Sequence, residues 1–271
     1  MAIAFVESTS HTATTGSVIS FSHTVTAGSN NVLILAVMWS SDSTSVTGVT
    51  YNSVSMTSSV DSGSGAGSTR SQLFYLGNPS TGSNTVEVTF SGTPIREAFV
   101  ASTFSGVDQA STIGGTDSDI STNTPSSIDV PVAGSAGMVV DAFAAESTCT
   151  WAEAGAQTLM DGGQFESALN WGSSYRTHSG STTNMGWTRT GACGAPVATP
   201  AGISLTQFVS TAHTSTVTDS ISTSETTVAQ LDLSVAITET LTMIETIVTD
   251  EEILWTNQTK PSTSWTNQSK F

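Results

Sequence analysis

Basic residues are almost missing: six Lys and Arg stand against 22 Asp and Glu, for a formal charge of −16 and a pI near 4.2. Neutralising phosphates takes clustered Lys and Arg, so the balance argues against nucleic acid as a partner and equally against an anionic membrane surface. Charge of either sign is scarce, at 10% of residues, where ~25% is usual, and Ser and Thr fill roughly a third of the chain instead. Long apolar runs are lacking as well. The longest, Val32-Leu33-Ile34-Leu35-Ala36-Val37-Met38-Trp39, falls far short of the ~20 residues that cross a bilayer and reads as a buried strand. The stretch Met1–Glu7 has no basic n-region and no long apolar core, so no export segment is expected from it. Cysteine is limited to Cys149 and Cys193; spacing alone does not pair them, and free or partly buried thiols are the expectation.

Catalytic and metal-binding patterns are thin. None of the four His residues, His11, His23, His178 and His213, has zinc-ligand spacing to another. His23 sits in a strand among Ser and Thr, where a satisfied hydrogen-bonding role is expected. His178 is expected in a polar loop, Tyr175-Arg176-Thr177-His178-Ser179-Gly180, that could bind a ligand, with no acidic or metal-ligand companion nearby. No Gly-x-Ser-x-Gly elbow occurs. Asp141 and Glu146 are the carboxylates to weigh for glycoside cleavage, and Asp117 and Asp119 for calcium, with solvated loop acids the default for the latter. No enzyme activity, metal or cofactor is expected. Trp171 and Tyr175, with Trp151 and Trp187, are candidates for stacking on carbohydrate, though large aromatics in a sandwich are more often core.

What is present is strand after short strand. Phe21, His23 and Val25 alternate with polar neighbours, as do Val86, Val88 and Phe90. A hairpin is expected over Val46–Met56, with its turn near Tyr51-Asn52-Ser53, and Gly77-Asn78-Pro79 is strong turn punctuation. Further strands are expected at Ala98–Phe104, Ile128–Val132, Met138–Ala144, Met185–Thr188 and Ile203–Val209, while Trp151–Met160 is a candidate helical turn. Residues 1–208 therefore read as an all-β domain, an antiparallel β-sandwich of jelly-roll or immunoglobulin-like topology.

Composition shifts after about residue 210. Leu231, Leu233, Val235, Ile237, Leu241, Met243 and Ile247 all fall at odd positions, a period of two that predicts an extended β-rich segment over 209–254 serving as stalk or oligomerisation element. An amphipathic helix through Leu241, Ile244, Ile247 and Val248 is the competing reading, weakened by the abundance of Thr and β-branched residues. An amphipathic strand alone is unstable, so self-association, with a trimer the first expectation, follows. Over 255–271 the unit Trp255-Thr256-Asn257-Gln258-Thr259-Lys260 recurs as Trp265-Thr266-Asn267-Gln268-Ser269-Lys270. Trp255, Asn257, Lys260, Trp265, Asn267 and Lys270 combine rings, amides and the chain's two lysines, a composition suited to docking in a partner's groove.

Several segments resemble a β-sandwich module common in phage virion proteins: Ser29–Val37, Val46–Thr57, Leu73–Pro79, Thr85–Gly92, Phe104–Asp108 and Gly137–Asp141. The tandem Trp-Thr-Asn-Gln-[Ser/Thr]-Lys ending is similar to the termini of phage minor structural proteins. The resemblance implies a non-enzymatic virion component assembled in the host cytoplasm and displayed on the particle, as a capsid decoration or head fibre. It implies the chain itself and other virion proteins, such as the major capsid protein, as partners, and no active site. A minor tail or tail-fibre protein, or a secreted adhesin that binds carbohydrate, is the alternative.

Overall fold

The computed structural model describes residues 2–41, 43–63, 69–122, 126–134, 136–178, 180–191, 197–209, 242–249 and 252–259. It forms two compact units, Met1–Ser210 and Thr211–Phe271. The first half of the larger unit holds β1 (Ala4–Ala13), β2 (Val18–Val25), β3 (Val32–Ser40), β4 (Val46–Tyr51), β5 (Val54–Ser55), β6 (Thr57–Asp61), β7 (Thr69–Gly77), β8 (Gly82–Phe90) and β9 (Arg96–Ser105). Its second half holds β10 (Ile113–Ser118), β11 (Ser126–Pro131), β12 (Gly137–Glu146), β13 (Thr150–Ala154), β14 (Thr158–Phe165), β15 (Leu169–His178), β16 (Thr182–Thr190) and β17 (Ala201–Thr206). All pairings are antiparallel and no helix is present among the described residues.

The alternation correctly marks an antiparallel sandwich but does not count sheets. Residues 1–208 contain two sandwiches. The first pairs an inner sheet β1-β9-β3-β7-β6 with an outer sheet β2-β8-β4-β5; the second pairs an inner sheet β10-β17-β12-β15-β14 with an outer sheet β11-β16-β13. The strand orders correspond one to one, except that β5 has no counterpart. The inner sheets then pack on each other, so the layers run outer, inner, inner, outer.

This stacking explains the apolar run at Val32. Along β3, Val32, Ile34, Ala36 and Met38 face the other inner sheet, and Leu33, Leu35, Val37 and Trp39 face their own outer sheet. A strand covered on both faces loses its polar alternation. Burying each of the Val, Leu, Ile and Met side chains contributes about 1.5–3 kcal/mol. The partner strand β12 sends Met138, Val140, Ala142 and Ala144 to the same central core.

Across that core β3 meets β12, its own counterpart. The other contacts occur in exchanged pairs: β7 on β12 with β3 on β15, β1 on β14 with β6 on β10, β9 on β14 with β6 on β17, and β9 on β15 with β7 on β17. Exchange of equivalent partners is the pattern of an isologous two-fold interface, here within one chain.

Bulges fall at corresponding places. β1 is bulged between Phe5 and Glu7 and β10 between Ile113 and Gly115; β6 is bulged between Ser58 and Val60 and β14 between Leu159 and Asp161. These are the four edge strands of the two inner sheets. Bulged edges are poor templates for further pairing.

Local expectations hold where turn chemistry is strong. Asn52 and Ser53 both take positive φ between β4 and β5, as a two-residue hairpin turn requires, and Asn78 does so after β7. Trp151–Met160 differs from the helical-turn expectation: it contributes to β13 and β14, with Gly155 at positive φ between them. In the smaller unit, β18 (Thr242–Thr249) and β19 (Glu252–Thr259) form an antiparallel hairpin, so this part of the period-two segment is strand.

Candidate functional site

The hairpin brings together two residue sets that the sequence keeps apart. Met243 and Ile247, from the oligomerisation set, lie opposite Gln258 and Leu254, while Trp255 and Asn257, from the anchoring set, lie opposite Thr246 and Ile244. β19 thus runs through the boundary expected at 254/255 and takes in most of the first Trp-Thr-Asn-Gln unit. Its register has eight consecutive pairs without a shift. Leu231, Leu233, Val235, Ile237, Leu241, Lys260, Trp265, Asn267 and Lys270 lie outside the described residues.

The aromatic candidates for a sugar platform are packing groups. Trp171 is 9% exposed and belongs to the core between the inner sheets. Tyr175, on the same strand, stacks on Phe5 at 5.1 Å and meets Phe104 edge-on at 6.0 Å. Between the second sandwich's own sheets, Phe143 stacks on Trp187 at 4.9 Å and lies 4.8 Å from Trp151.

His23 is buried and hydrogen-bonded at both ring nitrogens, to the Thr9 and Thr103 hydroxyls at 3.0 Å each. Burial lowers its pKa, so a neutral ring ties β2 to β1 and β9 across the sandwich. His178 ends β15 opposite Gly137 and is also buried, with neither ring nitrogen hydrogen-bonded among the described residues and its pKa lowered by burial. Asp117 accepts a hydrogen bond from the Asp129 backbone N–H at 2.9 Å. Among the described residues no group of three or more His, Cys, Asp and Glu side chains is arranged to hold a metal ion.

Two carboxyl groups are deeply buried. Glu97 is 0% exposed and neither carboxyl oxygen has a hydrogen bond among the described residues. Burial pushes it up to about 7. Asp141 is 0% exposed too, which removes it from any glycosidase pair with Glu146. Unlike Glu97, it is the centre of a network. Its Oδ1 accepts from the Ser174 backbone N–H at 2.8 Å and the Ser174 hydroxyl at 2.7 Å. Its Oδ2 accepts from Trp187 Nε1 at 2.8 Å and Gln157 Nε2 at 3.3 Å. Gln157 Nε2 also donates to Ser174 Oγ at 2.7 Å, and Gln157 Oε1 accepts from the Gly186 backbone N–H at 2.6 Å. Burial drives the Asp141 carboxyl up to about 7 against the opposing pull of the Ser174 and Trp187 donors.

The internal repeat shows what is unusual about this network. Aligning the β6 bulge with the β14 bulge sets Phe74 against Ser174, and their cross-strand partners are Leu35 and Asp141. The first sandwich fills this place with a leucine and a phenylalanine, the second with an acid and a hydroxyl. Polarity here is not demanded by the fold. The sequence offers Asp141 only alongside Glu146 and carries no sign of Gln157 or Ser174, which meet only where β14 pairs with β15.

Cys149 is disulfide-bonded, which corrects the expectation of a free thiol there; Cys193 lies outside the described residues. The pairing needs spatial proximity that spacing in sequence does not reveal. No family model, curated protein or solved structure matches the chain.

Proposed function

We propose that the chain is a non-enzymatic bacteriophage virion protein displayed on the particle surface, as a capsid decoration or head-fibre protein. The observation that carries this reading is the pairing of a large, doubled β-sandwich unit with a separate hairpin bearing Met243, Ile247, Trp255 and Asn257. Such a division suits a body that is presented and a segment that attaches or assembles it. A surface rich in Ser and Thr with a charge of −16 keeps many closely spaced copies soluble. The partners are further copies of the chain and other virion proteins, such as the major capsid protein, after assembly in the host cytoplasm. Packing of Trp171 and Tyr175 leaves the carbohydrate alternative without a platform at those residues.

Immunogold electron microscopy of particles from the source lysate tests the proposal. Regular label over heads is the expected result. Label confined to tails moves the protein to the tail-fibre alternative, and unlabelled particles overturn the virion assignment.

A further inference from the structure

We propose that Ser174 and Gln157 join in an autocatalytic side-chain ester, with release of ammonia, inside the second sandwich. The parts of an acyl-transfer centre are assembled there without any external group. Ser174 Oγ is the nucleophile; it donates to Asp141 Oδ1 at 2.7 Å and touches Gln157 Nε2 at 2.7 Å, one bond from the carbon it attacks. Gln157 Cδ is the electrophile, polarised by the Gly186 N–H on Oε1 at 2.6 Å, where negative charge develops. Asp141 is the catalytic acid–base, with one oxygen toward the nucleophile and the other toward the leaving nitrogen. Trp187 Nε1 and the Ser174 N–H hold its plane.

The step balances. As the Oγ–Cδ bond forms, the hydroxyl proton passes to Asp141, and the oxyanion on Oε1 is held by Gly186. Collapse breaks Cδ–Nε2; Asp141 returns the proton to nitrogen, and ammonia leaves with the two amide protons and the one from serine. Nothing is oxidised, and neither water nor cofactor is consumed. A carboxyl raised to about 7 can accept and return a proton near neutral pH.

Attack on an unactivated amide is slow in water, and ammonia would reverse it. Here the reacting groups are fixed in contact, where effective molarities reach about 10⁵ M or more. Asp141 and Ser174 are 0% exposed and Gln157 8%, so bulk water has no direct access to the ester, and ammonia escapes to a dilute solution. The first sandwich, with Leu35 and Phe74 at the corresponding positions, holds together without this polar set. The link would fasten the entry to edge strand β14 onto β15 and oppose unzipping of that edge.

Intact-mass spectrometry of the reduced full-length chain tests the inference. The expected mass lies about 17 Da below that of the sequence, the loss of one ammonia on acylation. Cleavage after Glu166 should leave the segments bearing Gln157 and Ser174 covalently joined. Hydroxylamine should separate them and leave a hydroxamate at Gln157. Ser174→Ala should restore the full mass, and Asp141→Asn should slow formation. If Asp141→Asn does not fold, Ser174→Ala decides, since Ala keeps the small buried volume. The proposal is overturned if the wild-type chain keeps its full mass after prolonged incubation at pH 7. It is equally overturned if the loss persists in Ser174→Ala, which would place the lost ammonia elsewhere.

Discussion

Gly172→Ala isolates the packing that holds the second sandwich shut. Gly172 lies on β15 beneath the Trp187 ring of the opposite sheet, and its cross-strand partner Phe143 stacks on the same ring. A Cβ at 172 would overlap Trp187 Cη2 and sit 2.7 Å from Cζ3 and 3.1 Å from Cζ2, all in one rigid ring. Forcing a bulky group out of a packed core costs about 1–3 kcal/mol. The displaced indole also gives up its 2.8 Å hydrogen bond to Asp141, leaving a buried acceptor short of a donor, for about 1–3 kcal/mol more. The expected sum is about 2–6 kcal/mol, or roughly 4–24 °C in Tm for a unit of this size. Gly163→Ala on β14 is the control, because its nearest neighbour would be Trp171 Cζ2 at an ordinary 3.9 Å. That change should be neutral or stabilise by about 0.4–1 kcal/mol through the unfolded chain. Near-UV circular dichroism during thermal unfolding reads both effects. Equal midpoints for the two variants would refute the reasoning, since only the Trp187 clash separates them.

Ser167→Gly should stabilise, a rare sign for glycine: Glu166 and Ser167 take φ of 49° and 54° in the turn joining β14 to β15, and removing the Cβ strain at one position is worth about 1 kcal/mol, read as an upward shift in Tm. Stability should fall as pH rises from about 5 to 7.5. Glu97 and Asp141 hold protons up to about 7 when folded, whereas the unfolded chain releases them near 4, so raising the pH favours unfolding. Glu97→Gln should flatten that slope by up to about 3 kcal/mol across the window, measured as the urea midpoint at each pH; an unchanged slope would show that Glu97 ionises normally. Light scattering should find the full chain oligomeric and a chain truncated at residue 209 monomeric; monomers in both would remove self-association through the C-terminal segment.

The legible parts of this fold are those where one physical cue acts alone. Asn52-Ser53 and Asn78-Pro79 mark turns because few residues tolerate positive φ, and Val86 to Phe90 alternates because its sheet has one wet face. Nothing in the sequence marks β15 as a strand. It is covered on both faces, and Trp171, Gly172, Ser173 and Ser174 follow no period; each was chosen by what lies across from it. The doubling escaped for a related reason. Equivalent strands share register and bulge positions, which are backbone properties, while Leu35 and Asp141 at the same place share nothing a sequence comparison would score. The Asp141–Ser174–Gln157 centre is legible only once β12, β14 and β15 are side by side.

The bulged edges govern what crowding can do to this protein. A straight, open sheet margin is a template on which a neighbouring copy's strand can pair. All four margins of the inner sheets are kinked at a defined residue, so strand addition is disfavoured at those margins. The eight-pair hairpin of β18 and β19 carries no such interruption, and neither do the outer-sheet edge strands β2, β11 and β13. On the proposed virion reading, a C-terminal element would set copy number and spacing, while the larger body could vary its surface without altering how many copies assemble.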